Sequence, residues 1–241
     1  VRSAVDGATG SLRAVIACAP AGATIDLSNH YHTLSMGELE LNKDLNFMGQ
    51  PVSFSWIDGN NDTDNDSRLF HVTNASKVSF ENVILYKGGG LNFAGPGSAI
   101  FVESGSEVRL KKVKISENRT TNGIISVETG AKLTAFNSVM NDNLATETII
   151  EGTGNIQLNQ CLVNNNSASS LNSNVFKINF PGRLDIKQST IASNAATNAT
   201  LNNLGAVNVS NTIFDNMVGF EHAGGGALVS NYNLIKDESK A

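Results

Sequence analysis

The chain has 241 residues, 40% hydrophobic, 16% charged and 6% aromatic, with a formal net charge of −5. This acidic balance, without any run of Lys or Arg, excludes a nucleic-acid partner held through its phosphates. No apolar stretch is long enough to cross a bilayer as a helix, which excludes membrane insertion of that kind by this segment.

The first element is a short helix. Leu12, Val15, Ile16 and Ala19 fall at helical spacing, Ser11 is placed as its N-cap and Pro20 as its stop. Such an amphipathic helix suits the end of a core that would otherwise lie open, and Cys18 belongs to it. The second cysteine, Cys161, is remote, and neither a disulfide framework nor Cys-x-x-Cys metal spacing is present. His30, His32, His71 and His222 show no zinc spacing either.

Next comes Ser55-Trp56-Ile57-Asp58-Gly59, followed by an acidic run that places Asp62, Asp64 and Asp66 in alternation. Alternating carboxylates and amide carbonyls can wrap Ca²⁺, which takes about six to eight oxygens. The loop lacks the glycine and the terminal glutamate of a complete calcium loop, so a solvated turn is the competing expectation. No cofactor is required, and Ca²⁺ is the one candidate.

From Lys77 onward the chain repeats. KVSFENVILYKG, EVRLKKVKISEN, KLTAFNSVMNDN, NIQLNQCLVNNN, RLDIKQSTIASN and AVNVSNTIFDNM align without gaps, at intervals of 30, 25, 23, 28 and 23 residues. Their second residues form an apolar column, Val78, Val108, Leu133, Ile156, Leu184 and Val207. Seven places on runs a second, Leu85, Ile115, Met140, Val163, Ile191 and Phe214. Alternation with polar residues is the period of a strand with one buried face. A shorter strand precedes each segment, with Val72, Val102, Val127, Ile150 and Ile178 expected in register. No single coil can bury its apolar side alone, so the coils must stack at about 4.8 Å each.

The 31 asparagines fit this scheme, although asparagine is normally depleted from strands. Columns such as Asn82, Asn137 and Asn211, or Asn118, Asn143, Asn166 and Asn194, fall at the corners between strands. There asparagine tolerates left-handed backbone, and stacked amides can hydrogen-bond from coil to coil. The predicted fold is an all-β, right-handed parallel β-helix with a short N-terminal capping helix. It forms one domain over 1–241: cap and first strand to about 35, stacked coils over 36–235, then a charged tail.

The order SLRAVIACAPAGATIDL, GELELNKDLNFMG, WIDGNN, SRLFHV, GSAIFV and repeated Asn-Ser-x-hydrophobic segments resembles bacterial secreted right-handed β-helix proteins. The resemblance is to the group with a Cys-Ser-Leu-Arg-Glu-Ala motif and to polymorphic outer-membrane-protein-like chains. It covers nearly the whole chain, with Gly10 where that group has Cys and Ser98 in place of a glycine. It implies a secreted or cell-surface module, structural or adhesive, within a larger bacterial protein, with a glycan or protein partner.

Three features are candidate sites. Glu103, Glu128 and Glu151 are expected to share one outward column, able to hold a cation or accept sugar hydroxyls. Ile84, Val139, Leu162 and Ile213, with Phe136 nearby, should form an apolar stripe on an outer face, either a contact surface or the floor of a loop. The third is the acidic loop. The alternative function is a polysaccharide lyase acting on an acidic polymer, for which His71, Arg109, Lys111 and Lys114 are the available bases and charge neutralisers. None of these carries a lyase motif, and Gly59 stands where a pectate-lyase-like Trp-Ile-Asp motif has histidine.

Overall fold

The computed structural model describes residues 1–28, 31–61, 66–90, 92–216 and 227–237, with the backbone alone at 216 and 235–237. Within them the chain winds through three long parallel sheets and a short three-stranded one made by Arg119–Thr120, Leu144–Ala145 and Ser167–Ala168. Sheet A has nine strands, from Ala23–Ser28 through Lys132–Phe136 to Ala227–Asn231. Sheet B also has nine, from Tyr31–Thr33 through Val139–Asn141 to Leu234–Asp237. Sheet C has seven, from Leu39–Leu41 through Gly123–Val127 to Ala199–Asn203. Each coil pairs in parallel with its neighbours, Val108 lying between Val78 and Leu133. The protein is a parallel β-solenoid, and the handedness rule for parallel connections makes it right-handed.

Both apolar columns point inward as their alternation requires. Val108, Leu133, Ile156 and Leu184 are fully buried in sheet A, as are Leu85, Val163 and Ile191 in sheet B. Like residue stacks on like, so each side chain fills the gap left by the coils on either side. Truncating Leu133 to Ala would cost about 2–5 kcal/mol through lost burial and the cavity left behind. In the first coils the stack is aromatic, with Phe47 and Phe80 parallel at 4.7 Å and Phe70 tilted against Phe80 at 4.8 Å.

The helix Leu12–Cys18 covers the first coil. Ser11 accepts from the Ala14 N–H, and Leu12 and Ile16 are buried beneath it. Arg13 fixes its position by pairing with Asp6 at 2.9 Å and donating to the carbonyls of Gly37 and Glu38.

The corner asparagines divide into two kinds. Asn82, Lys112, Asn137, Gln160, Gln188 and Asn211 all have φ between 49° and 56°, so this column is the left-handed bend between sheets A and B. The ladder is a different column, and its members are not left-handed. Asn118 donates to Asn143, Asn143 to Asn166 and Asn166 to Asn194 at 2.8–2.9 Å, all four fully buried. The left-handed turn before the ladder is made by the residue that precedes each rung: Glu117, Asp142, Asn165 and Ser193.

A second row lies just after the first bend. The Val113 N–H donates to Ser138 Oγ and the Cys161 N–H to Ser189 Oγ, each at 3.1 Å. The bend turns these amides away from the sheet ladder, and a small hydroxyl in the next coil satisfies them. Cys161 occupies this row as a small inward residue, and burial pushes its thiol pKa up.

One register differs from expectation. In sheet C, Val72, Val102 and Val127 align, but the next residue in that column is Gly152, followed by Ile178. Ile150 sits two places earlier, between Ile125 and Phe176. A glycine in an inward column breaks the apolar pattern that a sequence alignment follows. The space is taken instead by Ile156, whose Cδ1 lies 3.2 Å from where a Gly152 Cβ would be.

Candidate functional site

A solenoid of this kind offers its chemistry on three outer faces, and the faces differ. Sheet A is a solvated polar face. Arg109 pairs with Glu107 at 3.0 Å, and Lys111 with Glu81 at 2.9 Å. Phe136 shares the outward column of Lys111 and Asn159 and is 40% exposed at the edge of the bend into sheet B.

Sheet C carries a cluster that the sequence did not indicate. His71 lies between two carboxylates, with Nε2 2.8 Å from Glu103 and Nδ1 3.4 Å from Glu38. Its ring stacks on Phe101 at 4.9 Å. Arg68 lies 2.6 Å from Glu38, its guanidinium 5.0 Å from the Phe101 ring centre and 5.6 Å from that of Phe93. Burial lowers the Arg68 pKa, against the raising effect of Glu38 and Glu103. These residues come from separate coils and a loop, so no sequence spacing links them.

The expected glutamate column is corrected by the same register. Glu103 and Glu128 are equivalent, each donating its N–H to the valine of the preceding coil, Val72 and Val102. The next coil places Thr153 there. Glu151 instead pairs with Ser126 and Lys177. Nor do the three act together: Glu103 meets His71, Glu128 accepts from the Ser104 N–H at 3.1 Å, and Glu151 accepts from the Ser126 hydroxyl at 2.7 Å.

In the acidic loop, Asp62 and Asp64 lie outside the described residues, and only Asp66 of that trio falls within them. Asp58 is committed elsewhere, accepting from the Tyr31 hydroxyl at 2.5 Å and from the Asn60 N–H. Among the described residues, no group of three or more His, Cys, Asp or Glu could hold a metal ion.

Sheet B is the distinctive face. Its outward column runs Tyr31, Trp56, Ile84, Lys114, Val139, Leu162, Thr190, Ile213 and Leu234, one residue per coil. The aliphatic stripe expected at Ile84, Val139, Leu162 and Ile213 is therefore one continuous column, and two aromatics extend it. Tyr31 and Trp56 stack at 5.6 Å, and Tyr86 meets Trp56 edge-on at 5.1 Å. Trp56 was legible only as part of an enzyme-like motif, because the first coils diverge too far from the repeat to be aligned.

The stripe is partly covered. Phe54, at the end of the loop before sheet B's second strand, packs toward Ile84, which is 8% exposed. Beyond it the column lies open, with Val139 and Leu162 half-buried and Ile213 exposed. Two depressions flank this stretch, of about 240 and 560 Å³, and they share Asn137 and Val139. Together they make one groove beside the bend between sheets A and B. Its floor is Ile84, Val139 and Leu162, and its rim is the left-handed residues Lys112, Asn137, Gln160 and Gln188. The bend explains the rim: a left-handed residue at the corner turns its side chain out of the sheet.

The four bases a lyase could use do not converge. His71 stands over sheet C, Arg109 and Lys111 on sheet A, and Lys114 on sheet B, and the first three are held by carboxylates. No protein-family model matches the chain, and neither a curated protein nor a solved structure is significantly similar to it. The class defined by the fold is thus the parallel β-solenoid. Among the described residues, no helix is long and apolar enough to cross a membrane.

Proposed function

We propose that the chain is a non-catalytic β-solenoid module, a structural or adhesive segment of a larger secreted or cell-surface bacterial protein, that presents the outer face of sheet B to a partner. The observation that carries this reading is the contrast between faces. Sheet B offers a nine-residue outward column and a groove along the solenoid axis, whereas the basic groups that could do chemistry are scattered over three faces, and all but Lys114 are paired with carboxylates. Contiguous exposed apolar surface marks contact sites, and a fold by itself assigns no chemistry. The resemblance to secreted β-helix proteins supports the extracellular setting.

The test is a binding screen against purified glycans and matrix proteins. It compares the natural chain with Leu162→Glu in the groove and Lys187→Glu on sheet A. Binding lost in the first variant and kept in the second is expected. Binding indifferent to Leu162→Glu would overturn the assignment of the face. Catalysis is tested separately by incubating the protein with alginate, pectate and chondroitin, with and without Ca²⁺, and following the ultraviolet absorbance of an unsaturated uronate. No rise is expected, and a rise abolished by His71→Ala or Lys114→Ala would replace this reading with that of a lyase.

A further inference from the structure

The groove on sheet B has a composition that narrows its ligand. Among the described residues, its only charged groups are Lys112 and Lys114, and no carboxylate lines either depression, in a chain with 22 acidic and 17 basic residues. Lys111 next to them is paired with Glu81. Among the described residues, neither Lys112 nor Lys114 forms an ion pair. The rest of the rim is neutral: Asn137, Gln160 and Gln188, one carboxamide per coil, opposite an aliphatic floor one side chain wide.

We infer that this groove binds a linear acidic polysaccharide lying along the solenoid axis, with a carboxylate-bearing sugar at Lys112 and Lys114 and the following sugars along the carboxamides. This rests on the reading of sheet B as the partner face. Four arguments select the ligand. From Ile84 to Thr190 the groove crosses four strand spacings, about 19 Å at ~4.8 Å each, the length of a short oligosaccharide. A linear pyranose polymer advances by close to one coil per sugar, so each carboxamide can meet the hydroxyls of one ring. The aliphatic floor suits the C–H faces of the rings, and the two lysines complement a carboxylate. A globular protein, by contrast, needs about 20–30 residues on each side of a stable interface, and this groove is a single side chain wide.

The restriction of charge to one coil also matters. A polymer charged on every sugar would lay an anion against the amides and aliphatics of every further coil without a countercharge, whereas one with alternating acidic and neutral sugars would do so only at every second coil. Hyaluronan octasaccharide is therefore the probe, with polygalacturonate of equal length, heparin and neutral dextran as comparisons. Isothermal titration would be run on the natural chain, on Lys112→Gln/Lys114→Gln, on Leu162→Glu and on Lys187→Gln as control. Glutamine at position 112 keeps the residue type that Gln160 and Gln188 already carry at that bend, so the double variant should fold.

The expected result is hyaluronan binding that weakens with salt and falls about tenfold or more in the double lysine variant. It should be lost in Leu162→Glu and unchanged in Lys187→Gln. The inference is overturned if dextran binds as well as hyaluronan, if heparin or polygalacturonate binds more tightly, if no glycan binds, or if the lysine variant binds normally. A ligand of another kind that is lost with Leu162→Glu but indifferent to the lysines would refute the acidic glycan and leave the partner face intact. If neither variant alters the binding of anything, both readings fall.

Discussion

Replacing Asn143 by Ala tests the ladder directly. Asn143 is 1% exposed and uses its whole side chain: Nδ2 donates to Asn166 Oδ1 at 2.8 Å and to the carbonyls of Ile115 and Asn141 at 3.0 and 3.1 Å. Its Oδ1 accepts from Asn118 Nδ2 at 2.9 Å and from the Asn118 N–H at 3.1 Å. Alanine removes all five bonds. Asn118 Nδ2 keeps its bonds to Leu85 O and Ser116 O, but the Asn118 N–H loses its acceptor in a fully buried site. An orphaned buried donor costs about 1–3 kcal/mol, and with the weakened carbonyls the total is about 3 kcal/mol. Asn137→Ala, six residues earlier in the same coil, is exposed at φ 49° and should lose only about 1 kcal/mol through left-handed strain. Urea midpoints would measure both, at an unchanged slope. Hydrogen exchange would show whether protection is lost at Asn118 ahead of the rest of the solenoid. Equal losses for the two variants would refute the claim that the buried ladder, rather than the bend, is the stabilising asparagine column.

Gly152→Val places valine in the column of Val127 and Ile178, yet it should destabilise by about 1–3 kcal/mol. A Cβ there would lie 2.6 Å from the Val127 carbonyl oxygen, a clash that thermal unfolding would report. Asp6 supplies a pH dependence. Burial raises its pKa, but the Arg13 hydrogen bond and the Met36 and Ser35 N–H groups outweigh this and hold it below the usual carboxylate value. A depressed folded pKa stabilises above the unfolded pKa, about 3.9, and the stabilisation is lost as pH falls through the folded value. Asp6→Asn should therefore be less stable at neutral pH, and its urea midpoint should fall less steeply on acidification. Trp56→Ala removes the aromatic that joins Tyr31 to Tyr86, and binding that depends on the first three strands of sheet B should weaken while the far-ultraviolet circular dichroism spectrum is retained.

What the sequence determined by itself was the inward faces of the repeat and their stacking in sheets A and B. Alternation fixed which residues of KLTAFNSVMN point inward, and gapless alignment placed Leu133 on Val108 and Met140 on Ile115, as the structure has them. It also set the aliphatic stripe from Ile84 to Ile213. Tertiary structure alone decided how the faces were filled. Loops of different length precede sheet C, so the neighbours of a residue there depend on pairing that no periodicity encodes. Gly152 removed the marker that would have set the register, and the alignment put Glu151 beside Glu128 when its partners are Ser126 and Lys177. Lys111 and Lys112 are adjacent and alike in sequence, yet the bend between them sends one to Glu81 on sheet A and the other to the groove rim. Period-two alternation states which side of a strand a residue faces, while its partner is set by the coil stacked against it, and only the folded chain brings that coil into place.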